Sequence, residues 1–174
     1  MKIIKSLNNI AFSRWYWLVY LTGSLFLLAD ALFYQYILEE LPCVICIQIR
    51  LWISLLVFIA LFGLFGRANW LVNVLAQLSV ALIAIGLVER SYQLLGIERG
   101  FVFGDCSFDL GLPAWFSIDQ WLPWLYKVET SCGYTPEIIF KITMAEALIV
   151  MTVSLLIISL GILLATVYQK LTSD

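Results

Sequence analysis

The sequence predicts an all-α integral membrane protein: a four-helix transmembrane bundle with both termini cytoplasmic and a long extracytoplasmic loop carrying a short membrane-associated helix. Two observations lead there. Of 174 residues, 63% are hydrophobic and only 13% are charged, against about 45–50% apolar and about 25% charged in soluble domains. Four apolar runs also reach the ~20 helical residues that a bilayer core demands. Hydrocarbon offers the backbone no water to bond, so runs of this kind must be helices. A single membrane domain over residues 1–174 is expected at this length. The net charge of -2 comes with no basic patch, and no nucleic-acid partner is expected.

The first run covers about residues 15–37 and the second about 47–65. Gly66-Arg67-Ala68-Asn69 then turns the chain into the third, about 70–88, and the fourth covers about 142–168. A short loop, about 38–46, joins the first two spans. A long one, about 89–141, joins the last two and is punctuated by Gly100, Gly104, Gly111, Gly133, Pro113, Pro123 and Pro136. Lys2, Lys5, Arg14, Arg67 and Lys170 all fall on one side of this arrangement, and such cations are retained in the cytoplasm. Glu39, Glu40, Glu89, Glu98, Asp105, Asp109, Asp119, Glu129 and Glu137 fall on the other. Cations in the long loop weigh little, because long segments translocate largely regardless of charge. Ala29-Asp30-Ala31 has the form of a signal-peptide cleavage site. Cleavage there would part the first cysteines from the span that positions them, so an uncleaved first helix is expected.

The four cysteines point to chemistry. Cys43 and Cys46 lie in the short loop, Cys106 and Cys132 in the long one, which places all four on the oxidising face, where thiols are paired or redox-active. Cys43-Val44-Ile45-Cys46 sits where the second span begins, and the positive end of a helix dipole favours thiolate over thiol. Arg50 follows Cys46 by one turn, on the same helix face and about 6 Å along the axis. Its permanent charge beside a thiolate suits an anionic or carbonyl-bearing ligand, or else it snorkels to lipid headgroups. Cys106 and Cys132 have 25 residues (107–131) between them. They form either a structural bridge across a loop without a core or a second dithiol that exchanges with the first.

Metal binding fits poorly, since the chain has no histidine and no second close cysteine pair. Ile47 after Cys46 excludes c-type haem attachment. Between the loop cysteines, Trp115, Ile118, Leu122 and Leu125 recur at helical spacing. They mark a segment lying on the membrane, its length limited by Pro123, or a tryptophan-rich cap over the bundle. Asp30 and Glu146 fall inside spans, either as proton carriers or as groups hydrogen-bonded to a neighbouring helix.

Taken in order, four spans, Pro42-Cys43-Val44-Ile45-Cys46 leading into a helix with Arg50, a second cysteine pair in the long loop, and the proline- and tryptophan-bearing stretch between that pair resemble the DsbB family. These are quinone-dependent disulfide bond formation proteins, and the resemblance covers essentially the whole chain. It implies a bacterial inner-membrane location with the active cysteines on the periplasmic side. It also implies a relay, with Cys43, Cys46, Cys106 and Cys132 as its catalytic residues. A reduced periplasmic thioredoxin-fold oxidase similar to DsbA would attack Cys106. Released Cys132 would attack Cys43, and Cys46 would donate into a membrane quinone, ubiquinone or menaquinone, held by Arg50. Such a partner is a strong oxidant, so the acceptor must be a good one: each ~30 mV of uphill transfer costs about 1.4 kcal/mol for two electrons. Some family members have a histidine after the third span, and Ser91-Tyr92-Gln93-Leu94-Leu95-Gly96-Ile97-Glu98-Arg99 offers none. The vitamin K epoxide reductase family is set aside because its cysteine pairs come in the reverse order. A DsbB-like paralogue serving one dedicated partner, and a non-enzymatic subunit with two structural disulfides, remain as alternatives.

Overall fold

A computed structural model describes residues 9–102, 110–113, 117–130, 137–139 and 142–172. Four long helices dominate it: α1 (Arg14–Tyr36), α2 (Val44–Gly66), α3 (Trp70–Glu98) and α6 (Met144–Leu171). All four are long and apolar enough to cross a membrane, and the protein is a multi-pass, all-α bundle. Between α3 and α6 come two single turns, α4 (Ile118–Trp121) and α5 (Pro123–Tyr126), and two short antiparallel strands, β1 (Glu137–Ile139) and β2 (Ile142–Thr143).

Each long helix starts where a side chain satisfies an otherwise orphaned backbone N–H. Ser13 caps α1, accepting from Trp15 N–H, and Asn69 caps α3, accepting from Leu71 N–H. Thr143 caps α6 in a reciprocal box with Glu146. Cys43 caps α2 through its sulfur. That cap starts α2 at Val44, a few residues before the expected 47. A larger departure is α3, which runs ten residues past the expected end at 88. Its 29 residues span about 43 Å, against an apolar core of about 30 Å. Glu89, Arg90 and Gln93 leave the hydrocarbon without breaking the helix. Arg90 donates to Gln93 Oε1 and Gln93 donates to Glu89 Oε1 along its surface. Hydropathy records depth in the membrane, whereas helix length is set by the stop signal, here Gly100 at φ 75°. The expected single membrane-associated helix is broken in two at Leu122, whose φ of -132° and ψ of 63° are not helical.

Successive helices pack antiparallel, α1 on α2, α2 on α3 and α3 on α6. In lipid there is no hydrophobic force between helices, so close van der Waals fit holds them together. Glycines provide it: Gly63 of α2 meets the fully buried Trp17 of α1, and Gly86 of α3 meets Trp52 of α2. Outward faces keep large apolar groups exposed for lipid, as with Phe26 at 71% and Phe58 at 67%. A methyl at Gly63 would lie 2.5 Å from the Trp17 ring, which has no space to retreat. Gly63→Ala should therefore destabilise the bundle by about 1–3 kcal/mol in detergent unfolding. Gly161→Ala, where a methyl meets nothing within 4 Å, should be neutral or slightly stabilising.

Candidate active site

The first turn of α2 places both cysteines of the Cys-x-x-Cys pair at the end of the bundle where α1 finishes and α6 begins. Cys43 is buried at the cap and Cys46 is half-buried three residues on. The cap accepts the Cys46 N–H at 3.4 Å, and the two sulfurs stand 2.8 Å apart. Both therefore sit in the field of the α2 N-terminus, which stabilises negative charge on sulfur.

Arg50, one turn further along α2, is 6% exposed and folded into the protein. Nη1 donates to Gln35 Oε1 of α1 at 2.5 Å and to the Leu125 carbonyl of α5 at 3.2 Å, while Nη2 donates to the Ala31 carbonyl of α1 at 2.9 Å. Snorkelling to headgroups is not what this side chain does. Burying an arginine is costly unless its hydrogen bonds are replaced, and these three bonds replace part of the lost hydration. Beside it opens a cavity of about 330 Å³. Cys46 and Arg50 share its lining with apolar Leu27 of α1, Ile49 and Ile53 of α2, and Leu148 of α6.

The long loop closes over this end of the bundle at several points. Glu129 and Thr130 donate backbone N–H bonds to the Pro42 carbonyl at 3.0 and 3.3 Å, and Thr130 forms a parallel bridge with Cys43. Tyr126 donates to Ser54 Oγ at 2.6 Å, and Tyr36 donates to the Trp124 carbonyl at 2.8 Å. Segment 123–130 is thus a cap over the bundle as far as it is described. Cys106 and Cys132 lie outside the described residues, as does Trp115. The structure brings Cys43, Cys46 and Arg50 together and leaves the second pair unplaced.

The two ionisable residues inside spans part company. Glu146 belongs to the start of α6, in the capping box with Thr143 and in an ion pair with Arg99 that ties α6 to the end of α3. Asp30 lines the cavity shared by Cys46 and Arg50. Sequence reasoning missed Gln35, Ser54 and Tyr126. Gln35 was visible as an amide in the last turn of an apolar span, and Ser54 as the hydroxyl one turn beyond Arg50. Nothing in the sequence marked Tyr126 or the Leu125 carbonyl.

Comparison with known proteins bears on this geometry. Residues 13–162 match the family described as disulfide bond formation protein DsbB. Disulfide bond formation protein B 2 of Pseudomonas aeruginosa is 27% identical over 165 residues, covering 94% of this chain and 93% of that protein. Disulfide bond formation protein B of Shewanella sp. (strain MR-4) is 32% identical over 145 residues, 82% of each chain. That of Aeromonas salmonicida is 31% identical over 132 residues, 75% of this chain and 76% of the relative. A match running through all of the first three spans and into the fourth, around a capped Cys-x-x-Cys and an inward-folded arginine, means that this chain belongs to the DsbB family of disulfide bond formation membrane proteins.

Proposed function

We propose that the protein reoxidises a periplasmic thioredoxin-fold dithiol oxidase similar to DsbA and delivers the electron pair to a membrane quinone. It would act in the bacterial inner membrane, with its termini cytoplasmic and its cysteines periplasmic. The cavity shared by Cys46 and Arg50 is the observation that supports this reading most directly. It joins a sulfur biased toward thiolate to a fixed cation inside mostly apolar walls, with Asp30, Glu39 and Glu40 also in the lining.

The residues present fit a quinone. Arg50 commits three hydrogen bonds of the five donors a guanidinium owns, leaving donors for a ring oxygen. Leu27, Ile49, Ile53 and Leu148 offer apolar surface for the ring and the start of its tail. When bound, a quinone supplies a two-electron oxidant that becomes quinol. The chain's own part is thiol exchange and charge placement.

In the proposed relay the partner's thiolate attacks Cys106 Sγ of a Cys106–Cys132 disulfide. One S–S bond forms as another breaks, and Cys132 leaves as thiolate. Cys132 then attacks Cys43 Sγ of a Cys43–Cys46 disulfide, and Cys46 leaves as thiolate. The bridge between Thr130 and Cys43 favours that step. Cys132 follows Thr130 by two residues in the sequence. The electron pair arrives on Cys46, the sulfur that lines the cavity, where the helix dipole and Arg50 stabilise its charge. The partner's second thiolate would then displace Cys106 from the mixed disulfide, Cys106 would take Cys132 back from Cys43, and Cys43 would re-form its bond to Cys46 as the electron pair passes to the quinone; the partner's two thiols give up two protons, and reduction of quinone to quinol consumes two.

Four measurements test this. Purified protein should oxidise a reduced DsbA-like partner only when quinone is supplied. Cys46→Ala should abolish turnover but still trap a mixed disulfide with the partner, whereas Cys106→Ala should trap none; turnover by Cys46→Ala would overturn the relay. Arg50→Ala removes charge-assisted bonds of about 1.5–3 kcal/mol each and should raise the apparent quinone KM about tenfold or more, with the helical circular-dichroism signal retained. Wild-type behaviour at limiting quinone would remove Arg50 from the site. Finally, a membrane-impermeant maleimide should reach Cys43 or Cys46 in reduced spheroplasts from outside, and labelling solely from the cytosolic face would sink the topology.

A further inference from the structure

A second cavity, of about 450 Å³, lies on the opposite face of α2 from the Cys46 and Arg50 cavity and shares no lining residue with it. Its α2 wall is Gln48, Leu51, Trp52, Ser54, Leu55 and Phe58, Arg90 of α3 lines its upper side, and segment 110–112 of the long loop borders it. At 100° per residue, positions 48, 51, 52 and 55 sit about half a turn away from 46, 49, 50 and 53.

Polarity in this slot is graded along the membrane normal. At the loop end, Gln48 Nε2 is committed to the Leu110 carbonyl at 3.1 Å. Arg90 is different. It is half-buried, makes one hydrogen bond, to Gln93 Oε1 at 2.9 Å, and has no ion pair among the described residues. A guanidinium has five donors, so among the described residues most of the hydrogen-bonding capacity of Arg90, which lines the slot, is uncommitted. From Gln48 the wall descends to Phe58, ten residues and about 15 Å deeper, through apolar side chains apart from Ser54, whose hydroxyl accepts from Tyr126 and is thereby committed. Leu55 and Phe58 are 43% and 67% exposed, which opens the lower slot sideways to lipid tails.

A cation at headgroup depth above an apolar channel open to the hydrocarbon matches one class of molecule. We propose that this slot is a binding site for a single anionic phospholipid of the leaflet on the cysteine-bearing side, with its phosphate on Arg90 and one acyl chain along Leu51, Leu55 and Phe58. The site is independent of the redox chemistry proposed above.

Trp52 provides a reporter in the slot wall. The full chain is placed in phosphatidylcholine nanodiscs with a small fraction of phosphatidylglycerol brominated in its acyl chains, and Trp52 emission is taken as wild type minus Trp52→Phe. Trp52 should be quenched at a brominated phosphatidylglycerol fraction where equally brominated phosphatidylcholine has little effect. Arg90→Gln should raise the fraction needed by about tenfold, and Arg90→Lys should restore most of the loss. Leu55→Phe, which narrows the slot and spares Arg90, should also weaken quenching. Soluble glycerol phosphate should not displace the lipid. Equal quenching by both lipids, an unchanged response in Arg90→Gln or in Leu55→Phe, or displacement by glycerol phosphate would each overturn the proposal.

Discussion

A guanidinium that cannot lose its charge, turned inward at the edge of a bilayer, is the constraint on which the rest of this end of the molecule depends. Arg50 is taken largely out of solvent, so most of its partners come from the protein. They come from two elements: the Ala31 carbonyl and Gln35 of α1, and the Leu125 carbonyl of α5. A single side chain thereby fixes the spacing of the first two spans and anchors the loop above them. The Tyr126 to Ser54 bond repeats the anchor one turn deeper on α2.

The same constraint explains why the site is both polar and precise inside an apolar molecule. Elsewhere the bundle relies on shape, with glycines admitting Trp17 and Trp52 against neighbouring helices. Such contacts are many, individually weak and tolerant of sliding. Hydrogen bonds to a buried charge are few, stronger and directional. Concentrating them around Arg50 gives rigidity where a sulfur, a cavity and a loop must keep fixed distances, and leaves the lipid-facing helices free of that demand.

Much of this was legible from residue types alone. Four apolar runs of sufficient length specify the spans, and Cys43-Val44-Ile45-Cys46 with Arg50 one turn later specifies the site. What was not legible depends on tertiary contact. Hydropathy ended the third span at 88 because Glu89 and Arg90 are polar, yet α3 continues to Glu98 with those residues bonded along its surface. The even spacing of Ile118, Leu122 and Leu125 suggested one helix, but Leu122 before Pro123 is held out of helical geometry, as the residue before a proline usually is. Arg50 was open between snorkelling and binding because its choice rests on Gln35 and Leu125, fifteen and seventy-five residues away. Glu146 read as a possible proton carrier until Thr143 and Arg99 supplied it with partners.

The cap of α2 has a thermodynamic side. Cys43 is not merely next to the helix: its sulfur is the acceptor that starts it, taking the Cys46 N–H. A thiolate is a far better acceptor than a sulfur already bonded to another sulfur, so whatever gains α2 makes by capping are larger when the pair is reduced. In the relay proposed above, that difference would shift the couple toward a higher reduction potential, since the fold would lean to the electron-rich form. The cap of one helical turn and the storage of an electron pair would then be a single linked equilibrium.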